Sequence, residues 1–230
     1  MAGTEVILPQ GTWHLSQVTT QKLVVVAGGR APAPDWLKQV ASIGQLYCAD
    51  KGLDYCWAQQ LCPSLVCGDQ DSGTTESWRA AEKLGIPMQK YAPEKDATDL
   101  QLLLTALPPQ SLVIATGIWG GRFDHLYANV YSLLAYQKKQ AGVVLMADES
   151  EVMVLLTAGE HVTVTLQRSA LAISLLPLAG ENKVSISGVQ WPLERATLTQ
   201  TQPYAISNIA LGTQVSAICH AGCMGFYCKF

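Results

Sequence analysis

Ser111-Leu112-Val113-Ile114-Ala115-Thr116-Gly117-Ile118-Trp119-Gly120-Gly121-Arg122-Phe123-Asp124-His125-Leu126-Tyr127-Ala128-Asn129 is the stretch that decides the fold. Leu112–Thr116 is an apolar run without a polar alternate, as expected of a strand buried on both faces of a parallel sheet. Glycines crowd the turn that follows, and from Asp124 to Gln140 the period becomes helical. Leu126, Val130, Leu133 and Leu134 form the apolar stripe, with His125 and Asn129 one turn apart on another face. A strand running into a glycine-rich turn and then a helix is a geometry that cradles phosphate. No Gly-Lys-Ser/Thr follows, so this is not a P-loop. Gly28-Gly29-Arg30 offers a second backbone cradle.

The same alternation extends in both directions from Lys22 to Asp148. Strands are predicted at Leu23–Ala27, Leu46–Ala49, Leu65–Cys67, Met88–Ala92 and Val143–Ala147, with helices over Asp35–Ile43, Leu53–Leu61, Glu76–Leu84 and Thr98–Leu107 between them. After Asp148 the segments become short and often alternating, punctuated by Gly, Pro and Asn: Glu151–Leu156, Val162–Leu166, Leu171–Leu176, Val184–Ser187, Ala196–Thr199, Val215–Cys219 and Met224–Cys228. The expected class is α/β: an N-terminal, Rossmann-like open parallel sheet with helices over residues 1–148, then an antiparallel β-sandwich or barrel over 149–230.

Composition narrows the function. Of 230 residues, 49% are apolar and only 14% charged, with 15 basic against 18 acidic side chains for a net −3. Disorder, a coiled coil and a polybasic nucleic-acid binder are excluded, and no global field draws in DNA or an anionic membrane. No apolar run approaches the ~18 residues of a membrane span. The N-terminus lacks the pattern of a signal peptide, and seven cysteines form no regular framework, so reduced thiols in the cytoplasm are expected. Cys219-His220 with Cys223 and Cys228 has the composition of a zinc cluster, but its spacings fit no familiar finger, and buried thiols are the plainer reading.

Charge is scarce, so its placement matters. Eight of the nine aspartates lie between Asp35 and Asp124, and the last 80 residues hold only eight charged side chains. In open α/β sheets ligands collect beyond the carboxyl ends of the strands. Ala49-Asp50-Lys51-Gly52 ends one strand, and Cys67-Gly68-Asp69-Gln70-Asp71-Ser72 ends another. Asp69 and Asp71, two apart in an extended segment, point the same way, and a hard cation such as Mg²⁺ would relieve their repulsion. A solvated Asp-rich turn is the alternative. In Glu94-Lys95-Asp96-Ala97-Thr98-Asp99, Asp96 is the natural helix cap, and Asp99 belongs at the same sheet edge as Asp69 and Asp71.

These blocks, in order, resemble the thiamine pyrophosphokinase (thiamine diphosphokinase) family. Ala49–Gly52 stands for its Ala-Asp-Gly-Gly motif, Gly68–Ser72 for Gly-Asp-Phe-Asp-Ser, Lys95–Asp99 for Lys-Asp-x-Thr-Asp and Gly120–His125 for Gly-Gly-Arg-x-Asp-His. Ser174–Leu178, Gly188–Leu193 and Ile206–Asn208 continue the likeness, which runs from about Leu23 to the end. Two positions depart from the pattern: Gln70 replaces an apolar residue, and Lys51 replaces the first glycine of its pair.

The resemblance implies transfer of the β,γ-diphosphate of the co-substrate ATP to the hydroxyl of thiamine, giving thiamine diphosphate and AMP. It assigns Mg²⁺ to Asp69, Asp71 and Asp99, with Asp50 and Asp96 close by. Arg122 and Lys95 are available for phosphate charge, Thr98, Gly120 and Gly121 line the nucleotide site, and Asp124 meets the aminopyrimidine or the reacting hydroxyl. Trp191 offers a stacking face to the thiamine cation, and Ser207 and Asn208 offer hydrogen bonds. Read without the resemblance, Trp191 is ordinary sandwich core. The resemblance also implies a homodimer with thiamine bound between subunits. A non-catalytic thiamine- or nucleotide-binding homodimer and a Mg²⁺-dependent nucleotide hydrolase are the competing functions.

Overall fold

A computed structural model describes residues 3–69, 73–92, 94 and 96–230 of the chain. Gln70, Asp71, Ser72 and Lys95 lie outside the described residues, and with them the expected roles of Asp71 and Lys95. In chain order the elements begin with a hairpin, β1 (Thr4–Leu8) and β2 (Gly11–Leu15). Then come β3 (Gln21–Val26), α1 (Pro34–Ala41), β4 (Gln45–Ala49), α2 (Gly52–Ala58), β5 (Leu65–Gly68), α3 (Thr75–Lys83), β6 (Met88–Lys90), α4 (Asp99–Ala106), β7 (Ser111–Thr116), α5 (Phe123–Gln140) and β8 (Val143–Ala147). Seven strands follow: β9 (Glu151–Thr157), β10 (His161–Leu166), β11 (Ala172–Pro177), β12 (Glu181–Ser187), β13 (Leu193–Thr199), β14 (Gln214–Ala221) and β15 (Cys223–Lys229). The fold is mixed α/β.

Two compact units divide the chain, Thr20–Val144 and Leu145–Phe230 with the segment up to Thr19, the division falling inside β8. Within Thr20–Val144, β3 pairs in parallel with β4 and β7, β4 with β5, and β5 with β6. Every residue of β7 is buried, and its unbroken apolar run is the consequence of being covered on both faces. Each helix turns an apolar stripe inward: Trp36, Leu37 and Val40 from α1, Leu53 and Cys56 from α2, Leu133 and Leu134 from α5. Each fully buried Leu or Val contributes about 1.5–3 kcal/mol relative to exposure. The chain runs from β3 outward through β4, β5 and β6, then returns to place β7 on the other side of β3. Strand order therefore reverses between β3 and β7, and a crevice opens there beyond the strands' carboxyl ends.

In the other unit a six-stranded antiparallel sheet has the order β1-β2-β10-β14-β12-β13. Trp13 and Phe226, both wholly buried, meet edge-on in its core with centroids 6.1 Å apart. β9 pairs antiparallel with β15, and β15 with β11.

Two expectations need correction. Residues 1–148 were expected to form the first domain, but the hairpin of β1 and β2 belongs with the second unit, because β2 pairs with β10 along Gly11–Leu15. The sequence also places Val143–Ala147 among the strands of the open parallel sheet. β8 instead pairs antiparallel with β9, through Leu145, Met146 and Ala147 against Val154, Met153 and Val152. The cause is local: Asp148 Oδ1 accepts from the backbone N–H of Ser150 and Glu151, closing a tight turn. A turn that short can join only antiparallel strands.

Candidate active site

The carboxyl ends of β3, β4, β5 and β7 and the first turns of α4 and α5 line a cleft of about 1070 Å³ in the unit Thr20–Val144. Three carboxylates converge in it. Asp50 follows β4 with φ of 48°, a left-handed conformation that aspartate tolerates better than most residues. Its N–H donates to the Cys67 carbonyl at 2.9 Å, tying it to the end of β5. Asp69 lies just past β5, and Asp99 is the first residue of α4, with 8% of its surface exposed. One oxygen from each of Asp50, Asp69 and Asp99 lies within 4.8 Å of the other two. A side chain at Gly68 would place its Cβ 2.5 Å from Asp50 Oδ1, so the glycine before Asp69 leaves room for this convergence. Three hard oxygen donors at that spacing suit a hard divalent cation.

Among the expected ligands, Asp69 and Asp99 are brought together, and Asp50, expected only nearby, joins them. Asp96 lines the cleft but is not the helix cap. Thr98 is the cap: its hydroxyl accepts from the Gln101 N–H, and the Gln101 side chain accepts from the Thr98 N–H. That Thr-x-x-Gln box satisfies two orphan donors at once, which Asp96 could not match.

The glycine turns are partly spent on each other. Gly29 N–H donates to the Gly117 carbonyl at 2.5 Å and Arg30 N–H to that of Trp119 at 2.6 Å. The expected cradle at Gly28-Gly29-Arg30 therefore has two of its three amides occupied. Gly120 and Gly121 line the cleft. Arg122 also lines it, but its guanidinium forks onto Asp124, with Nε to Oδ1 at 3.1 Å and Nη2 to Oδ2 at 2.6 Å. That hydrogen bond holds the Asp124 carboxyl below its ordinary pKa. Arg30, of the second glycine turn, and Lys51, of the Ala49–Gly52 block, also line the cleft.

Trp191, Ser207 and Asn208 lie in the other unit. Trp191 is 56% exposed, which overturns its reading as sandwich core. Asn208 is buried, and its side chain clamps the tryptophan's backbone: Oδ1 accepts from the Trp191 N–H at 3.1 Å and Nδ2 donates to the Trp191 carbonyl at 2.7 Å. Ser207 is exposed, and its N–H donates to Ser174 Oγ at 3.1 Å. Oδ1 also accepts from the Ile209 N–H at 2.9 Å, so the Asn208 side chain is spent on holding the backbone that presents the ring. The cysteine-rich end forms no zinc site among the described residues. Cys219, Cys223 and Cys228 are buried thiols, and burial, foremost among the causes, pushes the Cys219 thiol up to about 11.

Residues 38–145 match the thiamin pyrophosphokinase catalytic domain, and residues 161–222 match the thiamin pyrophosphokinase vitamin B1 binding domain. The thiamine pyrophosphokinase of Bacillus subtilis is 30% identical over 162 residues, 69% of this chain and 75% of that protein. The chain belongs to the thiamine pyrophosphokinase family. A Caenorhabditis elegans relative, thiamin pyrophosphokinase 1, is 25% identical over 66% of this chain and 65% of its own length. In fold, the chain is similar to the crystal structure of the Bacillus subtilis enzyme, with a TM-score of 0.78 at 23% identity over 91% of this chain and 99% of that one. The Candida albicans structure gives the same TM-score at 13% identity over 91% and 89%. The carboxylate cluster falls inside the catalytic match, and Trp191 with its Asn208 clamp falls inside the vitamin B1 binding match. Lys51, a departure from the family's glycine pair, sits in the cleft itself.

Proposed function

We infer that the chain is a thiamine diphosphokinase, transferring the β,γ-diphosphate of ATP to the hydroxyl of thiamine and releasing AMP. The observation that carries the reading is the convergence of Asp50, Asp69 and Asp99 in a cleft inside the catalytic match. The thiamine hydroxyl oxygen bonds to the β-phosphorus and gives up its proton, while the bond from the β-phosphorus to the α,β-bridging oxygen breaks and that oxygen leaves with AMP. The physical task is to gather triphosphate charge and hold the hydroxyl in line. A Mg²⁺ ion held by Asp50, Asp69 and Asp99, with Asp71 as the fourth candidate, would neutralise phosphate charge. Asp96, Lys95 and Thr98 border the nucleotide, Gly120 and Gly121 let its phosphates approach the backbone, and Asp124, kept ionised by Arg122, meets the aminopyrimidine or the reacting hydroxyl. In architecture we read the parallel strands as Rossmann-like and the sheets after Asp148 as a sandwich, with residues 1–148 and 149–230 contributing catalysis and thiamine binding apart from the N-terminal hairpin. Seven cysteines without a disulfide fit a reducing compartment such as the cytoplasm. Among the described residues no helix is long and apolar enough to cross a membrane.

Incubation with ATP, Mg²⁺ and thiamine should release AMP and thiamine diphosphate in equal amounts. Inorganic phosphate released without thiamine would replace the reading with a nucleotide hydrolase, and binding without turnover would replace it with a carrier.

Trp191 supplies the stacking face for the flat thiamine cation. Trp191→Ala is expected to raise the KM for thiamine about five- to thirtyfold, the equivalent of ~1–2 kcal/mol, and to leave the KM for ATP unchanged. The ring is more than half exposed, so thermal unfolding should barely move. Asn208→Ala should raise the thiamine KM as well, because the Trp191 backbone loses both anchors, and should also lower the melting temperature. Equal effects of Trp191→Ala on both substrates would remove the stacking role.

We also read the chain as a homodimer sharing the thiamine site. Trp191, Tyr204, Ile206, Ile209 and Leu211 are all about half exposed or more on the loops flanking β13, an apolar set suited to an interface. Sedimentation should give twice the chain mass, and an active monomer would refute the shared site.

A further inference from the structure

We propose that Lys51 binds the diphosphate portion of ATP that is transferred, and that it separates ATP from the product AMP, with Tyr55 as its positioning residue. The proposal rests on the thiamine diphosphokinase reading and assigns a cation to that site.

The cleft needs positive charge from the chain, since Asp50, Asp69, Asp96, Asp99 and Asp124 all line it. Arg30, Lys51 and Arg122 are the described Lys and Arg side chains on its wall. Arg122 is engaged by both oxygens of Asp124. Lys51 makes no ion pair among the described residues. Its ammonium instead lies 5.9 Å from the centroid of the Tyr55 ring, within reach of a cation–π contact, which orients a charge without neutralising it.

Tyr55 is itself held in place. Its hydroxyl donates to the Gly29 carbonyl at 2.7 Å, joining α2 to the turn after β3. The lysine stem packs against the same turn: a Cβ on Gly28 would lie 3.1 Å from Lys51 Cβ. The ring, the stem and the two glycines therefore set where the ammonium can reach. Lys51 directly follows Asp50, one of the three converging carboxylates. Phosphates gathered at that cluster are the β and γ groups, which AMP lacks. A lysine beside them favours ATP over AMP, the product that has given up both groups.

The test uses the full-length protein and titrates ATP and AMP separately, with Mg²⁺ and without thiamine, by calorimetry. Lys51→Met should weaken ATP about tenfold, the loss of one charge-assisted contact, and AMP less than about twofold. Lys51→Arg should restore most of the difference, and Tyr55→Leu should show part of the Lys51→Met loss while Tyr55→Phe, which keeps the ring, shows less. In turnover, Lys51→Met should raise the KM for ATP with the thiamine KM unchanged. An unchanged ratio of ATP to AMP affinity in Lys51→Met would overturn the proposal. If the wild-type protein makes no thiamine diphosphate, the diphosphokinase reading falls, whereas active wild type with an unchanged ratio removes Lys51 alone.

Discussion

Asp99→Asn is expected to lower turnover at least about a hundred- to a thousandfold while leaving the protein folded. The substitution preserves shape and removes one charge from a set whose ligand oxygens lie within 4.8 Å of each other. Two unit charges about 4 Å apart repel by roughly 4 kcal/mol at an effective dielectric of 20, so the cluster is electrostatically unfavourable until a cation joins it. Losing one carboxylate relieves that repulsion. It also removes a favourable negative charge from the first turn of α4, which costs about 0.3–1 kcal/mol. The variant should therefore unfold at or above the wild-type temperature in the absence of metal. With Mg²⁺ the order should invert, because the wild type gains binding free energy that the variant lacks. Two quantities are read, turnover and the Mg²⁺-dependent shift in melting temperature. Loss of activity with a full metal shift would mean that Asp99 acts on substrate rather than on metal. Near-normal activity at saturating Mg²⁺ would remove the cluster from the mechanism.

What was legible in the sequence follows from how local each signal is. β7 and β8 are covered on both faces, and their continuous apolar runs are a property of a few adjacent residues. In the hairpin of β1 and β2 only β2 carried a signal, since Trp13 and Leu15 alternate with Thr12 and His14, whereas Val6-Ile7-Leu8 is an unbroken apolar run whose middle residue is exposed. The hairpin's partner, β10, lies some 150 residues away, and nothing near the hairpin names it. The cap of α4 was misplaced because Asp96 and Thr98 are both good caps two residues apart. The Gln101 three residues after Thr98 decides between them, a box visible in the sequence.

The site shows the same division. Acidic residues at the carboxyl ends of strands were readable, because strand ends and Asp-rich turns are local. Which of them converge was not. Asp50 enters the cluster through a left-handed backbone turn and a hydrogen bond to β5, both set by tertiary packing. The Asn208 clamp on Trp191 spans 17 residues of chain and two loops, so the asparagine reads from sequence as a polar group available to ligand. Arg122 likewise reads as a phosphate cation, until its neighbour two residues on occupies both arms of its fork.

Gly117→Ala is expected to be the most damaging small substitution in the nucleotide half. Gly117 directly follows β7 with φ of 66°, and an added Cβ would lie 2.1 Å from the carbonyl oxygen of Ala27, the residue after β3. No side chain can rotate away from that contact, because the obstacle is backbone. The left-handed conformation alone costs an alanine about 1–2 kcal/mol, and overpacking adds about 1–3 kcal/mol. Gly121 provides the control, with φ of 67° and nothing within 4 Å of its Cβ position. Gly121→Ala should therefore cost only the conformational part. For a chain of this size each kcal/mol lowers the melting temperature by roughly 2–4 °C, so the first variant should unfold about 5–15 °C lower and the second a few degrees lower. Gly117→Ala should also weaken ATP in whatever fraction stays folded. Its carbonyl accepts from Gly29 N–H, and its displacement opens the seam between the two glycine turns where β3 and β7 end. Equal destabilisation by the two alanines would show that the seam adjusts freely and that the backbone approach of Gly117 to Ala27 does not hold the cleft's floor.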